Sequence, residues 1–190
     1  MVIRYILMFA LYSFIGWVME TIFASTLQKK FVNRGFLIGP ITPLYGFGAI
    51  LVITSLSGIA LLEMSPLMTA ISSIGLSMLL VTALEYLTGY LLEKIFQAKW
   101  WDYSGHFLSI NGYVCLKYAL LWGFLAFILI QIIHPYITSF IEGLPEMVKV
   151  ILVIIFVICF VIDFIVSTKI AFDMRKSSNN RTNLSLEKHF

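Results

Sequence analysis

The chain has 190 residues, of which 60% are hydrophobic and 12% charged, with a net charge of +3 and a mean hydropathy of +0.95. A soluble domain carries roughly 25% charge. About half of that, alongside 16 Phe, 9 Tyr and 4 Trp, leaves too little polar surface to face water, so lipid must solvate part of the chain. No basic run interleaves with aromatics, which removes nucleic acid from the expected partners. Cys115 and Cys159 sit in apolar runs and read as two buried thiols. His106, His134 and His189 are too scattered to form a metal site, so no metal or cofactor is expected.

A helix needs about 20 apolar residues to cross the hydrocarbon core. Five stretches qualify: Arg4–Ala24, Pro43–Leu62, Leu67–Glu93, Gly112–Ile133 and Val148–Thr168. The first is too long for a signal-peptide core and reads as an uncleaved span. Thr42-Pro43 opens the second as an N-cap followed by proline, and Ser65-Pro66 opens the third the same way. His134-Pro135 is expected to close the fourth, and Gly143-Leu144-Pro145 separates it from the fifth. The fold expected is an all-α, polytopic membrane bundle of about five spans over residues 1–172. A polar tail, 173–190, is expected to lack regular structure.

Lysines and arginines in the loops set orientation. The first loop carries Lys29, Lys30 and Arg34, the third Lys94 and Lys99, and the tail Lys169, Arg175, Lys176, Arg181 and Lys188. The second and fourth loops carry Glu63, Glu142 and Glu146 instead, with Arg4 and Lys149 near the same surface. The N-terminus is therefore expected outside and the C-terminus in the cytoplasm.

Ionisable groups within a span face protein or a water-filled cavity, because lipid cannot solvate them. Ser13, Gly16 and Glu20 share one face of the first span, and small residues there allow close helix approach. Gly75, Thr82, Glu85, Gly89 and Glu93 form a stripe on the third, with Glu85 about 12 Å deeper than Glu93. With Lys117 and Asp163, these place five charged groups in one half of the membrane. The pattern fits an inward-facing polar cavity, or structural carboxylates that only fix packing.

Two loops frame this cluster. The first, Lys29 to Gly46, is too apolar for a solvated loop and too rich in Gly and Pro for a helix. Such a segment dips into protein and brings Asn33 and Arg34 with it, Arg34 as counter-charge to Glu20 or Glu85; otherwise it is a membrane-surface turn. The second, Trp100-Trp101-Asp102-Tyr103-Ser104 followed by Asn111, reads as an interfacial aromatic belt or as an aromatic wall around Asp102. The candidate cavity residues are thus Glu20, Asn33, Arg34, Glu85, Glu93, Trp101, Asp102, Tyr103, Asn111, Lys117 and Asp163.

Several segments, in this order, resemble the ABC-transporter type IV, or CmpB-like, permeases, a family of small bacterial membrane proteins. They are Gly16-Trp17 with Glu20; Lys30 to Leu37 followed by Gly39-Pro40, Pro43 and Tyr45-Gly46; Glu85-Tyr86 with Leu92-Glu93-Lys94 and Phe96; Trp100 to Ser104; and Asn111-Gly112 with Cys115-Leu116. Thr42 stands where the family pattern has Cys, and Tyr113 where it has Arg, which weakens an anion-binding role for the fourth span. The resemblance implies a transport component in the bacterial cytoplasmic membrane. The chain contains no GxxxxGK[ST] loop, so a separate ATPase subunit is implied, together with a homo-oligomer or second membrane subunit. Two other functions stay open. One is an enzyme acting on a lipid-linked substrate, with Glu20, Glu85, Asp102 and Tyr103 as acid–base groups; the other is a non-catalytic scaffold.

Overall fold

The computed structural model describes residues 1–60 and 64–187. The expected span end at Leu62, together with Glu63 and Lys188, lies outside the described residues, as do His189 and the side chain of Arg181. The described elements are α1 (Val2–Gln28), α2 (Pro43–Ala60), α3 (Pro66–Phe96), α4 (Leu116–Ile128), a π-helical turn (Leu129–Ile133), α5 (His134–Gly143) and α6 (Glu146–Glu187). Four stretches are long and apolar enough to cross a bilayer: Val2–Gln28, Pro66–Phe96, Leu116–Gly143 and Glu146–Ser177; Pro43–Leu56 is a shorter apolar helix. Among the described residues the chain is all-α, apart from an isolated bridge between Ile110 and Val114. It is a multi-pass membrane bundle.

The helix ends follow local chemistry. Ser65 Oγ accepts the Met68 amide at 3.4 Å and Pro66 takes the first turn of α3, which runs to Phe96, past the expected Glu93. Gln97 then turns left-handed (φ 57°) and donates its amide to Glu93 O. Thr42 does not cap α2 as expected: its hydroxyl is buried without a partner, and the helix opens at Pro43.

The fourth span differs most from expectation. It starts at Leu116 rather than Gly112, because Asn111 (φ 53°) and Gly112 (φ 77°) form a left-handed turn. It also does not stop at His134-Pro135, and continues to Gly143. Proline inside a helix removes an amide and drives its ring into the carbonyl four residues back. The π turn immediately before it absorbs that conflict: the His134 amide donates to Leu129 O, five residues back, and the widened turn accommodates Pro135. In α6 neither Gly nor Pro interrupts residues 146–187, so the helix passes the expected end at Thr168 and continues through the polar tail to Glu187.

A loop that enters the bundle precedes the shorter apolar helix α2. After Lys29 turns left-handed (φ 51°), residues 29–42 re-enter the bundle until the Thr42 amide donates to Ser13 O at 3.0 Å. Ser13 lies about 22 Å along α1 from its end at Gln28. α2 therefore begins deep inside the protein, which is why 18 residues suffice for it.

Consecutive helices pack side by side, α1 on α2, α2 on α3 and α3 on α4; α5 returns to α1, and α6 lies mainly along α1. Tyr12 and His134 link α1 to α5 by a 2.8 Å hydrogen bond, above a core of Leu7, Met8, Tyr12, Ala49 and Ile141. Cys115 is buried, whereas Cys159 is exposed on α6, contrary to the expected pair of buried thiols. The buried stripe of α3 is Ser73, Ser77, Val81, Glu85 and Gly89, an i, i+4 ridge that leaves out Gly75 and Thr82. Gly16 and Gly46 let α1 and α2 close up: a Cβ on Gly16 would fall inside the Tyr45 side chain, and one on Gly46 against Ser13 Oγ. Gly75 has no neighbour within 4 Å of the same position.

Gly16→Val is accordingly expected to destabilise the protein by about 1–3 kcal/mol through overpacking, read as a lowered Tm in detergent. Gly75→Ala, inside α3 with open space at its Cβ, should leave stability unchanged or raise it by up to about 1 kcal/mol. Equal Tm values for the two variants would show that α1 and α2 are not held together at Gly16.

Candidate functional site

At the end of the bundle that carries loops 29–42 and 97–115, a cavity of about 260 Å³ opens among α1, the re-entrant loop, α2, α3 and α4. α1 supplies Met19, Glu20 and Phe23; the first loop Arg34, Gly35 and Thr42; α2 Leu44 and Tyr45; α3 Glu85; the second loop Trp100, Trp101 and Tyr103; α4 Tyr118, Leu121, Trp122 and Leu125.

The first loop owes its shape to a residue outside the cavity. Asp163 on α6 accepts the Ile38 amide at 3.0 Å through Oδ1 and the Gly39 amide at 2.9 Å through Oδ2. Ser167 Oγ donates to Asp163 at 3.0 Å and accepts from the Ile38 amide at 3.1 Å. Asn33 closes the turn from within, donating to Ile38 O at 2.5 Å and accepting the Trp17 indole at 2.6 Å. A Cβ on Gly39 would sit 2.7 Å from Asp163 Oδ2, so the close capping requires glycine. Asp163 and Asn33 thus shape the loop and do not line the cavity.

With the loop so held, Arg34 Nε reaches Glu20 Oε2 at 3.3 Å, deciding between the two counter-charges open from sequence. Tyr45 donates its hydroxyl to Glu20 Oε1 at 2.7 Å, and its ring meets Trp122 edge-on at 5.2 Å. Trp122 in turn donates its indole N–H to Glu85 Oε2 at 2.9 Å, and Tyr103 donates to Glu85 Oε1 at 3.2 Å. Burial, then the Glu85 charge, push the Tyr103 phenol far up, so it acts as a neutral donor. Its ring stacks on Tyr118 at 4.3 Å, and Trp101 is steadied by donating to Tyr113 O at 2.9 Å.

Glu85 differs from the other carboxylates. It is 3% exposed and satisfied by two neutral donors. Among the described residues no cationic side chain lies within salt-bridge distance of it. Such burial is costly for a charged group, so residues that hold one in a membrane span mark functional positions more often than structural ones.

The structure therefore brings together Glu20, Arg34, Glu85, Trp101 and Tyr103 of the sequence candidates. The remaining candidates lie elsewhere. Glu93 sits 3.9 Å from Lys99, and a hydrogen bond to it pushes the Tyr113 phenol up to about 12. Asp102 is exposed and turned onto its own loop: the Ser104 hydroxyl and amide donate to it at 2.6 and 3.0 Å, which with Lys99 holds its carboxyl below the usual range. Asn111 donates to the Tyr86 hydroxyl at 2.9 Å, and Lys117 lies over the Tyr118 ring at 5.6 Å. The four acid–base candidates are consequently split, with Asp102 outside the cavity that Glu20, Glu85 and Tyr103 line. Among the described residues, no three His, Cys, Asp or Glu side chains gather as a metal-binding set.

Tyr118 and Trp122 escaped the sequence reading, and Tyr45 entered it through the family resemblance and not as a cavity residue. Aromatics inside apolar spans are ordinary lipid-facing or core residues. A spacing signal existed for two of them only after the fact: Tyr118 and Trp122 are one helical turn apart on α4.

If Asp163 sets the loop, Asp163→Ala removes two hydrogen bonds from backbone amides to a charged acceptor, each worth about 1.5–3 kcal/mol. Hydrogen exchange at Ile38 and Gly39 should then accelerate by about tenfold or more, with little change in α3. Unchanged exchange at both amides would assign the loop's order to other contacts.

The model of the family described as "Putative ABC-transporter type IV" matches residues 7–168. Comparison with curated proteins and with solved structures returned no match. The match runs from within α1 to within α6 and takes in both loops that frame the cavity, and on that extent the chain belongs to this ABC-transporter type IV family.

Proposed function

We propose that the protein is a membrane-embedded permease subunit of an ABC-type transporter in the bacterial cytoplasmic membrane, with the cavity as its substrate-contacting chamber. The observation that carries this reading is Glu85, a buried carboxylate with no cationic partner among the described residues, held by Trp122 and Tyr103 on the wall of a cavity lined by four helices and two loops. Membership of the family supports it. The basic residues Lys29, Lys30, Arg34, Lys94 and Lys99 gather at the cavity end of the bundle, while Glu142 and Glu146 lie at the other. By the positive-inside rule that end faces the cytoplasm, which makes the cavity inward-facing, with the N-terminus outside. An ATPase supplied by a separate chain would dock on the same two loops.

The test is purification in mild detergent followed by reconstitution. An ATPase is expected to co-purify, and liposomes holding both should show ATP-dependent solute movement. Glu85→Gln should lower that flux by about tenfold or more, equivalent to about 1.4 kcal/mol in the barrier, whereas Asp102→Asn should leave it within about twofold. Absence of any associated ATPase, with full activity in Glu85→Gln, would remove the transport reading. Loss of a turnover on Asp102→Asn would favour the enzyme instead.

A further inference from the structure

A second cavity, of about 180 Å³, continues from the first toward the middle of the bundle. The two share Met19, Leu44, Tyr45, Trp122 and Leu125 on their walls. Their chemistry differs sharply. The first presents Glu20, Arg34 and Glu85 with aromatic rings around them. The second contains no charged side chain and is lined by residues such as Ile15, Ala49, Val52, Val81, Leu129 and Ile133. From Trp122 to Ile133 the apolar part extends about 16 Å along the fourth span. Together the two volumes fall in the range of about 300–1,000 Å³ usual for small-molecule sites.

Charge in the polar part does not cancel. Arg34 is committed to Glu20 at 3.3 Å, which leaves Glu85 as an uncompensated carboxylate. Around it stand Tyr45, Trp101, Tyr103, Tyr118 and Trp122, and aromatic faces next to a carboxylate are what an ammonium group binds. Neither an anionic head nor a neutral one would compensate Glu85 in this way.

The route in is lateral. α1 packs on α2, α5 and α6, and α4 on α3. The cavity-lining Met19 and Phe23 of α1 are 38% and 50% exposed, and Leu121 of α4 is 45% exposed. The cavity's side thus opens between α1 and α4 toward the bilayer. A ligand arriving from the membrane would carry an apolar chain with it.

We infer that the joined cavities bind an amphiphile with an ammonium head and an apolar tail, the head between Glu85 and the aromatic rings and the tail between Val52, Val81 and Leu129. This deepens the transport reading by naming its ligand class. Binding is measured without an ATPase, so failed binding and failed flux are told apart.

The test uses the full chain in a maltoside detergent, with intrinsic tryptophan fluorescence as the readout. Hexyltrimethylammonium, which is soluble without forming micelles, is compared with hexanoate and hexanol. The ammonium probe should bind at least tenfold more tightly than either, a preference read on the unmodified protein. Glu85→Gln should abolish that preference while Glu142→Gln, at the other end of the bundle, keeps it. Native mass spectrometry of protein purified from membranes separates the sources. Retained phosphatidylethanolamine that is lost in Glu85→Gln identifies a lipid as the ligand; hexyltrimethylammonium binding with no retained lipid identifies a free cationic amphiphile. Equal binding of the three probes, a preference for hexanoate, or an ammonium preference that survives in folded Glu85→Gln protein would each overturn the proposal.

Discussion

Hydrogen bonding of irregular backbone at membrane depth is the constraint on which the rest of this structure depends. With no water in the hydrocarbon core, a non-helical segment must satisfy its amides and carbonyls from protein. Residues 29–42 do so through partners from three places. Asp163 and Ser167 on α6 take the Ile38 and Gly39 amides; Ser13 O on α1 takes the Thr42 amide; Asn33, within the segment, takes Ile38 O. Both carboxylate oxygens of Asp163 are thus used on backbone amides.

The depth at which the loop ends determines the rest. α2 starts level with Ser13, so its first turn, with Leu44 and Tyr45, lies inside the bundle and not at its surface. Gly16 and Gly46 bring α1 and α2 together closely enough for the Tyr45 hydroxyl to reach Glu20. The space above α2 that a full-length helix would fill is left as the cavity, with Arg34 at one wall and Trp101 and Tyr103 of the second loop at another. A single polar chain then runs from Arg34 through Glu20 and Tyr45 to the Trp122 ring, and from the Trp122 indole through Glu85 to Tyr103. In a low-dielectric site such a network holds its members in fixed orientations, since any unpaired polar group is expensive there.

The carboxylates of the chain divide by what they answer to. Asp163 answers to backbone amides, Asp102 to its own loop, Glu93 to Lys99 and Tyr113, and Glu20 to Arg34 and Tyr45. Glu85 is held by two neutral donors on a cavity wall. α6 contributes its anchor and little else to the interior: Ser167 and Ala171 are its buried residues among those described, and its long apolar surface is left for lipid.

Composition and hydropathy by themselves determined that this is an all-α membrane chain and roughly where its apolar helices lie, because solvent class is set by side-chain transfer energies that add up locally; that the first loop dips inward and does not lie on the surface was decided by the tertiary bond from Thr42 to Ser13. Arg34 was legible as a counter-charge to Glu20 or Glu85, and the structure chose Glu20. Local rules misjudged His134-Pro135 as a stop, because the π turn that rescues the helix depends on packing of the whole span. Charge placement grouped Glu20, Glu93, Lys117 and Asp163 with Glu85 by depth. Depth is a one-dimensional coordinate, and only the tertiary structure decides azimuth, that is, which carboxylate turns toward a cavity and which toward an amide. Tyr45, Tyr118 and Trp122 belong to the site for the same reason: an aromatic ring in an apolar helix acquires a role when a neighbouring helix places a carboxylate within reach of its hydroxyl or indole N–H.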